Sequence, residues 1–225
     1  MIGAVLAGGR SERMGRDKAA LLLADARGGE FVGASPREPG RAITIEDPQL
    51  TWLERAILLL AERFPEPWIV GRRVERGDSA LPNLSAFPEQ FPPLRSRGDL
   101  RAGAGPLGGL ETALELAAGD AALMIPCDLP RLDLRALDLL LEARGSASAL
   151  AFRSASGRKE PAVALVESEV LPALRRYLDE GSRAAHRFLE LVQIRWLDLP
   201  SALEEGFRNL NTPEDLARPR TLPGN

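Results

Sequence analysis

The stretch that decides the fold is LAGGRSERMGRDK, residues 6–18, which continues from a short apolar run at residues 1–6. It combines a glycine pair with four basic side chains, namely Gly8, Gly9, Arg10, Arg13, Arg16 and Lys18. In an open parallel sheet, the turn that leaves the carboxyl end of a strand faces the ligand crevice. Glycine lets backbone N–H groups approach a phosphate, and basic side chains donate charge-assisted hydrogen bonds to it. The stretch therefore predicts a strand followed by a polyphosphate-binding loop. The glycines alone fit equally well a tight strand-to-helix turn with a solvated basic surface.

Beyond this stretch, short apolar runs alternate with segments of helical periodicity. Strands are predicted over residues 1–6, 67–70, 121–125, 147–152, 162–166 and 194–197. Helices are predicted over residues 51–63, 108–118, 133–144, 169–178 and 183–191. The alternation predicts an α/β fold in three layers, with a mostly parallel twisted sheet covered by helices on both faces.

The chain is expected to form one domain over residues 1–217. Residues 24–47 are rich in Gly, Pro, Ser and charge, so they are expected to be an insertion or a mobile loop. Residues 82–93 are expected to be irregular, and residues 218–225 to be a flexible tail.

Composition excludes several classes of function. The formal net charge is −3, and acidic and basic residues are interspersed, so we expect neither a nucleic-acid partner nor a membrane. The sequence has no apolar run of about 20 residues and no signal-peptide pattern at its start, which predicts a cytoplasmic protein. Cys127 and His186 are the only residues of their kinds, so any bound metal is expected to have oxygen ligands.

Asp128 directly follows the predicted buried strand at residues 121–125, so it is expected at the same crevice as the glycine pair. Mg²⁺ prefers oxygen ligands and typically binds one or two carboxylates together with substrate phosphates. The sequence therefore predicts a Mg²⁺ site that includes Asp128. A helix N-cap or turn acid before Pro130 is the alternative role of this residue.

LAGGRSERMGRDKAALL resembles the signature of the molybdenum cofactor guanylyltransferase family (MobA type) of the nucleotidyltransferase superfamily, whose pattern is roughly LAGGxSxRMGxDK. Further segments agree in order and spacing, namely GPLGGLETAL (105–114), MIPCDLPRL (124–132), EPAVALV (160–166) and FRNLNTPEDLA (207–217). The resemblance implies a Rossmann-like nucleotidyltransferase fold with Mg²⁺ as cofactor. It also implies transfer of GMP from GTP to the phosphate of a molybdopterin-type cofactor, with release of pyrophosphate.

The resemblance also implies roles for individual residues. Those implied to bind the nucleotide are Leu6, Ala7, Gly8, Gly9, Lys18, Asp99 and Asp128. Those implied in catalysis are Arg13, Lys18 and Asp128, and those implied to hold the metal are Asp128 and Asn211, with Asn209 as the alternative to Asn211. Asp99 is implied to contact guanine; without the resemblance it reads as a solvated loop charge among neighbouring arginines. Asn211 alone reads as a helix cap before Pro213, with Thr212 as its competitor.

The chain departs from the family pattern in two places. The insertion at residues 24–47 is followed by Pro48-Gln49-Leu50 where the family has Lys-Pro-Leu. Gly71 stands where the family often has an asparagine near the nucleotide, and this second departure concerns substrate choice. The pterin is expected over the carboxyl-terminal half, near the basic residues Arg158, Lys159, Arg183 and Arg187. Molybdoenzymes or their chaperones are the expected partners. The alternatives are a cytidylyltransferase of the same cofactor, a sugar-phosphate nucleotidyltransferase, or a non-catalytic module that binds GTP or a partner.

Overall fold

The computed structural model describes residues 1–8, 17–24, 42–75 and 77–210. Within these ranges, seven strands form one sheet in the spatial order β3-β2-β1-β4-β6-β5-β7. The strands are β1 (Ile2–Leu6), β2 (Trp68–Val70), β3 (Arg95–Arg97), β4 (Ala122–Pro126), β5 (Ala149–Arg153), β6 (Lys159–Val166) and β7 (Arg195–Asp198). The first four strands are mutually parallel, and β5 is parallel to β7. Only β6 is reversed, pairing antiparallel with β4 and β5.

Helices cover both faces of the sheet. They are α1 (Trp52–Ala61), α2 (Pro82–Ala86), α3 (Pro106–Leu116), α4 (Leu134–Glu142), α5 (Leu171–Asp179) and α6 (Ala185–Leu191). Buried residues of α1 and α4 pack on one face, and those of α3, α5 and α6 pack on the other. β4 serves both layers, because Leu123 and Ile125 point to one face and Ala122 and Met124 to the other. The predicted fold class, with three layers and a mostly parallel sheet, is confirmed.

The starts of α1 and α4 follow the sequence signals closely. α1 begins with a capping box, in which the Thr51 hydroxyl accepts from Glu54 N at 3.1 Å and the Glu54 carboxylate accepts from Thr51 N at 3.0 Å. α4 begins at the predicted acid, since Asp133 accepts from Arg135 N at 2.9 Å. Asp128 is therefore not the cap of this helix.

The sequence prediction was wrong in the stretch that precedes α3. Residues 82–93, predicted to be irregular, contain α2 and a 3₁₀ turn at Pro88–Gln90. The strand β3 (Arg95–Arg97) was not predicted at all. It is a three-residue edge strand with the sequence RSR, and an edge strand need not be apolar, so hydrophobic periodicity gives no signal for it.

Several predicted segments fall outside the described residues. These are residues 25–41 of the insertion, most of the glycine-rich loop after Gly8, and the tail. The single domain over 1–217 stays a prediction. Within the part of the chain that the structure describes, no helix is long and apolar enough to cross a membrane.

Candidate active site

The carboxyl ends of the four parallel strands bring four residues to one edge of the sheet. Asp99 lies two residues beyond β3, Gly71 directly follows β2, Gly8 lies two residues beyond β1, and Asp128 lies two residues beyond β4. Because these strands are neighbours in the order β3-β2-β1-β4, the residues follow one another in the order in which they are named here. β1 lies between β2 and β4, and the chain connections lead away from it in both directions along the sheet. Open parallel sheets bind ligands at the carboxyl ends of strands in such a position.

Gly8 and Gly71 touch through their backbones. Ala7 N donates to Val70 O at 2.8 Å, which holds the end of β1 against the end of β2. A Cβ on Gly71 would lie 2.5 Å from Gly8 N and 2.6 Å from Gly8 Cα, and Gly71 has φ +94°. Only glycine fits this position without displacing the backbone. The departure from asparagine at position 71 therefore has a structural reason in this chain.

Asp99 presents a buried carboxylate oxygen, Oδ1, that has no hydrogen-bond partner in the described part of the chain. Its surroundings are glycines: a Cβ added to Gly71 would lie 3.5 Å from Oδ1, one on Gly109 would lie 3.9 Å from Oδ1, and one on Gly108 would lie 3.6 Å from Oδ2. Burial raises the pKa of Asp99 above its ordinary value. An unsatisfied buried acceptor is rare in proteins and calls for an explanation, such as a ligand that supplies the donor.

Two of the neighbouring arginines, Arg95 and Arg101, pair with other residues. Arg101 pairs with Glu111 at 3.2 Å and with Asp179 at 2.7 Å, and Arg95 pairs with Glu66. The buried Oδ1 of Asp99 does not fit a fully solvated loop charge. It is an unpartnered acceptor that lies beside Gly71 and Gly109.

Lys18 and Asp128 form the polar pair at the other end of this edge. Lys18 Nζ donates to Asp128 Oδ2 at 3.3 Å, and the two side chains are 15% and 27% exposed. Lys18 lies on the 3₁₀ turn Lys18–Ala20, and Asp17 caps that turn by accepting from Ala19 N at 3.0 Å. Cys127 N donates to Leu6 O at 3.2 Å, so the segment carrying Asp128 continues the pairing of β4 with β1.

The Asp128 carboxylate is an oxygen donor of the kind that Mg²⁺ binds. In the described ranges no group of three or more His, Cys, Asp or Glu could hold a metal ion without help. A single half-buried carboxylate beside a lysine is the donor set expected where substrate phosphates supply further ligands. Asn211, the other predicted ligand, lies outside the described residues, and Asn209 lies exposed in the segment before it.

Cys127 directly precedes Asp128, but its thiol is not activated as a nucleophile. Burial, followed by the charges of Asp128 and Asp17, raises the pKa of the Cys127 thiol to about 12. The thiol therefore stays protonated at neutral pH, and Cys127 is no candidate nucleophile.

The structure thus places six of the predicted site residues along one edge of the sheet, namely Leu6, Ala7, Gly8, Lys18, Asp99 and Asp128. The predicted residues Gly9, Arg13 and Asn211 lie outside the described residues, as do Arg10 and Arg16. The structural roles of Gly71, Gly108 and Gly109 were not predicted from the sequence. The segment GPLGG carried a signal for the last two, since paired glycines in a helix point to a close neighbour.

Three of the four basic residues predicted to face the pterin have partners within the chain. Arg158 pairs with Glu160 at 2.5 Å, Lys159 pairs with Glu190, and Arg183 donates to the carbonyl of Leu178 at 2.9 Å. Lys159 begins β6, which is antiparallel to β4 and starts beyond the end of β4. Arg158 and Lys159 therefore lie at the same edge of the sheet as Asp128.

Comparison with known proteins gives a consistent result. Residues 3–196 match the family model described as MobA-like NTP transferase domain. A molybdenum cofactor guanylyltransferase from Serratia proteamaculans is 30% identical over 217 residues, covering 96% of this chain and 92% of that protein. Another from Mesorhizobium japonicum is 34% identical over 230 residues, covering 98% of this chain and 94% of that protein.

A solved structure supports the fold. The crystal structure of molybdopterin-guanine dinucleotide biosynthesis protein A from Archaeoglobus fulgidus superposes with a TM-score of 0.63 at 21% identity. The superposition covers 96% of this chain and 95% of that one. At this level of identity the likeness concerns the arrangement of strands and helices.

Proposed function

The chain belongs to the MobA-like NTP transferase family, and we propose that it is a molybdenum cofactor guanylyltransferase. In this reaction the terminal phosphate of a molybdopterin-type cofactor attacks the α-phosphorus of GTP. A new phosphorus–oxygen bond joins GMP to the cofactor, and pyrophosphate leaves with the electron pair of the broken bond. The product is a guanine dinucleotide form of the cofactor.

The observation that carries the choice of GTP is the unpartnered, buried Oδ1 of Asp99. The Watson–Crick edge of guanine carries two adjacent donors, N1–H and N2–H, that a carboxylate can accept together. Cytosine lacks this paired donor edge. Because positions 71, 108 and 109 are glycines, none of them places a Cβ against the carboxylate, and the donors that it lacks are left to a bound base. We therefore assign Asp99 to guanine recognition.

The other end of the edge suits the phosphate chain. Gly8 is exposed and lacks a side chain that would keep a phosphate from the backbone, and Lys18 supplies a positive charge beside Asp128. We assign both residues to the triphosphate and, as the sequence resemblance implies, Arg13 to the transferred phosphoryl group. In the strand order β3-β2-β1-β4, Asp99 follows the first strand and Asp128 follows the last. The proposed phosphate site and the proposed base site are therefore at opposite ends of this row.

We propose that Asp128 holds Mg²⁺, with Asn211 as a further ligand. When bound there, the ion would neutralise charge on the transferring phosphoryl group and on the leaving pyrophosphate. The attacking phosphate is already ionised at neutral pH, so the chain needs no histidine base. Lys18 and Asp128 then contribute by positioning groups and by stabilising charge, which is the main requirement of phosphoryl transfer.

The test is a turnover assay with GTP, Mg²⁺ and molybdopterin cofactor, comparing the wild type with Asp128→Asn. We expect transfer to fall by about 100-fold or more, in the range seen when a group that stabilises the transition state is removed. Asp138→Asn is the matched control, because Asp138 pairs with Arg63 on the surface of α4. Normal transfer by Asp128→Asn in the presence of Mg²⁺ would contradict the proposal.

Binding of GTP against CTP by calorimetry distinguishes the guanylyl from the cytidylyl reaction. A preference for GTP supports the assignment of Asp99, and a preference for CTP would refute it. Cytoplasmic localisation and delivery of the product to molybdoenzymes or their chaperones stay predictions.

A further inference from the structure

Arg72 connects two parts of the candidate site. Its Nη2 donates to both carboxylate oxygens of Asp78, at 2.8 and 2.9 Å, and its Nη1 donates to Asp17 Oδ2 at 2.8 Å. The Arg72 side chain is 22% exposed and that of Asp78 is 9% exposed, so the pair with Asp78 is largely shielded from water. Shielding makes such a contact stronger than a surface ion pair.

The backbone of Arg72 is fixed by the part of the site that contains Asp99. Gly71 N donates to Arg97 O at 3.0 Å, and Arg72 forms an antiparallel bridge with Arg97. Asp78 is also held in place, since its Oδ1 accepts from Ala80 N at 2.9 Å. The guanidinium of Arg72 is therefore anchored before it reaches Asp17.

Asp17 connects the guanidinium of Arg72 to the turn that carries Lys18. One of its oxygens accepts from Ala19 N at 3.0 Å and the other accepts from Arg72. The far side of the turn is attached separately, because Trp52 N donates to Leu21 O at 2.8 Å. Arg72 thus holds the start of the turn, while α1 holds its end.

We propose that Arg72 is a positioning residue that acts through Asp17 to place the Lys18 ammonium beside Asp128. This inference rests on the proposed function, in which Lys18 acts on the phosphate chain. Lysine carries its charge on a flexible four-carbon stem, so its reach to a phosphate depends on where its backbone is held. A small displacement of such a group slows a reaction that depends on positioning.

The kinetic test compares Arg72→Gln and Asp17→Asn with the wild type. Asp17→Asn keeps an oxygen for Ala19 N but turns an amide donor toward the guanidinium, so it cuts the connection and preserves the cap. We expect kcat to fall about 10- to 100-fold in each variant. The KM for GTP is expected to stay within about threefold of the wild-type value.

Two further variants separate positioning from stabilisation. The double variant of Arg72→Gln and Asp17→Asn should lose little more than either single variant, because both changes cut the same connection. Arg72→Lys should restore part of kcat, because an ammonium can donate to Asp17. Arg63→Gln is the matched control: Arg63 makes a two-point ion pair with Asp138, at 2.6 and 2.9 Å, on α4.

A second readout does not depend on turnover. Lys18 and Lys159 are the only lysines in the chain, so trace labelling with acetic anhydride followed by mass spectrometry reports on Lys18 with Lys159 as internal reference. We expect the labelling rate of Lys18 to rise several-fold in Arg72→Gln and in Asp17→Asn, because the ammonium is less firmly paired with Asp128. Arg63→Gln should leave the ratio of the two lysines unchanged.

The outcomes separate the two proposals. A wild type that transfers no nucleotide contradicts the proposed function, and the labelling ratio then still decides whether Arg72 places Lys18. A wild type that transfers GMP, with an Arg72→Gln variant whose kcat and Lys18 labelling match those of Arg63→Gln, overturns the role of Arg72 alone.

Discussion

Glu54 is a buried carboxylate, whereas Asp99 is a partly exposed residue with one buried carboxylate oxygen. Burial raises the pKa of each, yet their surroundings differ completely. Glu54 lies in α1 and accepts four hydrogen bonds from residues in its neighbourhood. The donors are Thr51 N at 3.0 Å, Asn83 Nδ2 at 2.8 Å, Asn83 N at 2.6 Å and Leu84 N at 3.0 Å. Asp99 Oδ1 has no donor in the described part of the chain.

The difference teaches how a structural carboxylate can be told from one that awaits a ligand. Around Glu54 the chain itself supplies the donors that compensate for burial, and in doing so it ties α2 to the start of α1. Around Asp99 the chain supplies glycines and leaves the oxygen unsatisfied. The missing donors are then expected from a bound molecule.

The largest expected effect is the difference in the free energy of unfolding between variants that truncate the two carboxylates. Glu54→Ala leaves several buried donors without acceptors and opens a cavity, so we expect the free energy of unfolding to fall by about 3 kcal/mol or more. Asp99→Ala removes an acceptor that has no partner, so we expect a change within about 1 kcal/mol. Urea unfolding of both variants measures the pair. Equal losses would show that Asp99 is a structural residue as well.

A smaller effect is expected on nucleotide choice. Asp99→Asn replaces an acceptor by an amide donor at the position proposed to face N1–H and N2–H of guanine. We expect the preference for GTP over CTP, measured by calorimetry with Mg²⁺, to fall about 100-fold, since hydrogen bonds to a charged group contribute roughly 1.5–3 kcal/mol each. Thr112→Ser, in which the hydroxyl that accepts from Leu100 N is retained, is a matched control in α3. Undiminished GTP preference in Asp99→Asn would place guanine elsewhere.

The smallest expected effect is a gain in stability of the free protein. The folded pKa of Asp99 is raised above its unfolded value, so the stability that this carboxyl contributes is fully present below about pH 3.9 and is lost as pH rises through the folded pKa. Asparagine does not ionise. We therefore expect Asp99→Asn to be more stable than the wild type at pH 7, and the gain to vanish in acid. Thermal unfolding at pH 7 and pH 4 checks this, and a gain that is independent of pH would speak against a buried charge.

Much of this site could be predicted because it follows simple strand-end rules. Gly8 and Asp128 each lie two residues after a buried apolar strand, and in a parallel sheet such residues meet at one edge. The region around Asp99 could not be predicted in the same way. β3 is short, polar and at the edge of the sheet, and its place beside β2 depends on long-range pairing that local sequence does not reveal.

The position of Gly71 illustrates the same limit. The sequence shows only that glycine replaces the asparagine that the family often has there. The structure shows that the backbone of Gly71 lies against that of Gly8, which leaves no room for a side chain. The connection from Arg72 through Asp17 to Lys18 joins residues 55 positions apart in the chain, and no local pattern marks it.

The spacing of the parallel strands gives the active-site edge a fixed length. Asp99 and Asp128 are separated by three strand intervals, or about 14 Å at the usual distance between neighbouring strands. A backbone hydrogen-bond ladder is difficult to stretch, so the distance between the two ends of the site stays constant. A free base or a free pyrophosphate can bind at one end only, whereas a molecule that carries both groups at the matching separation can bind at both ends at once.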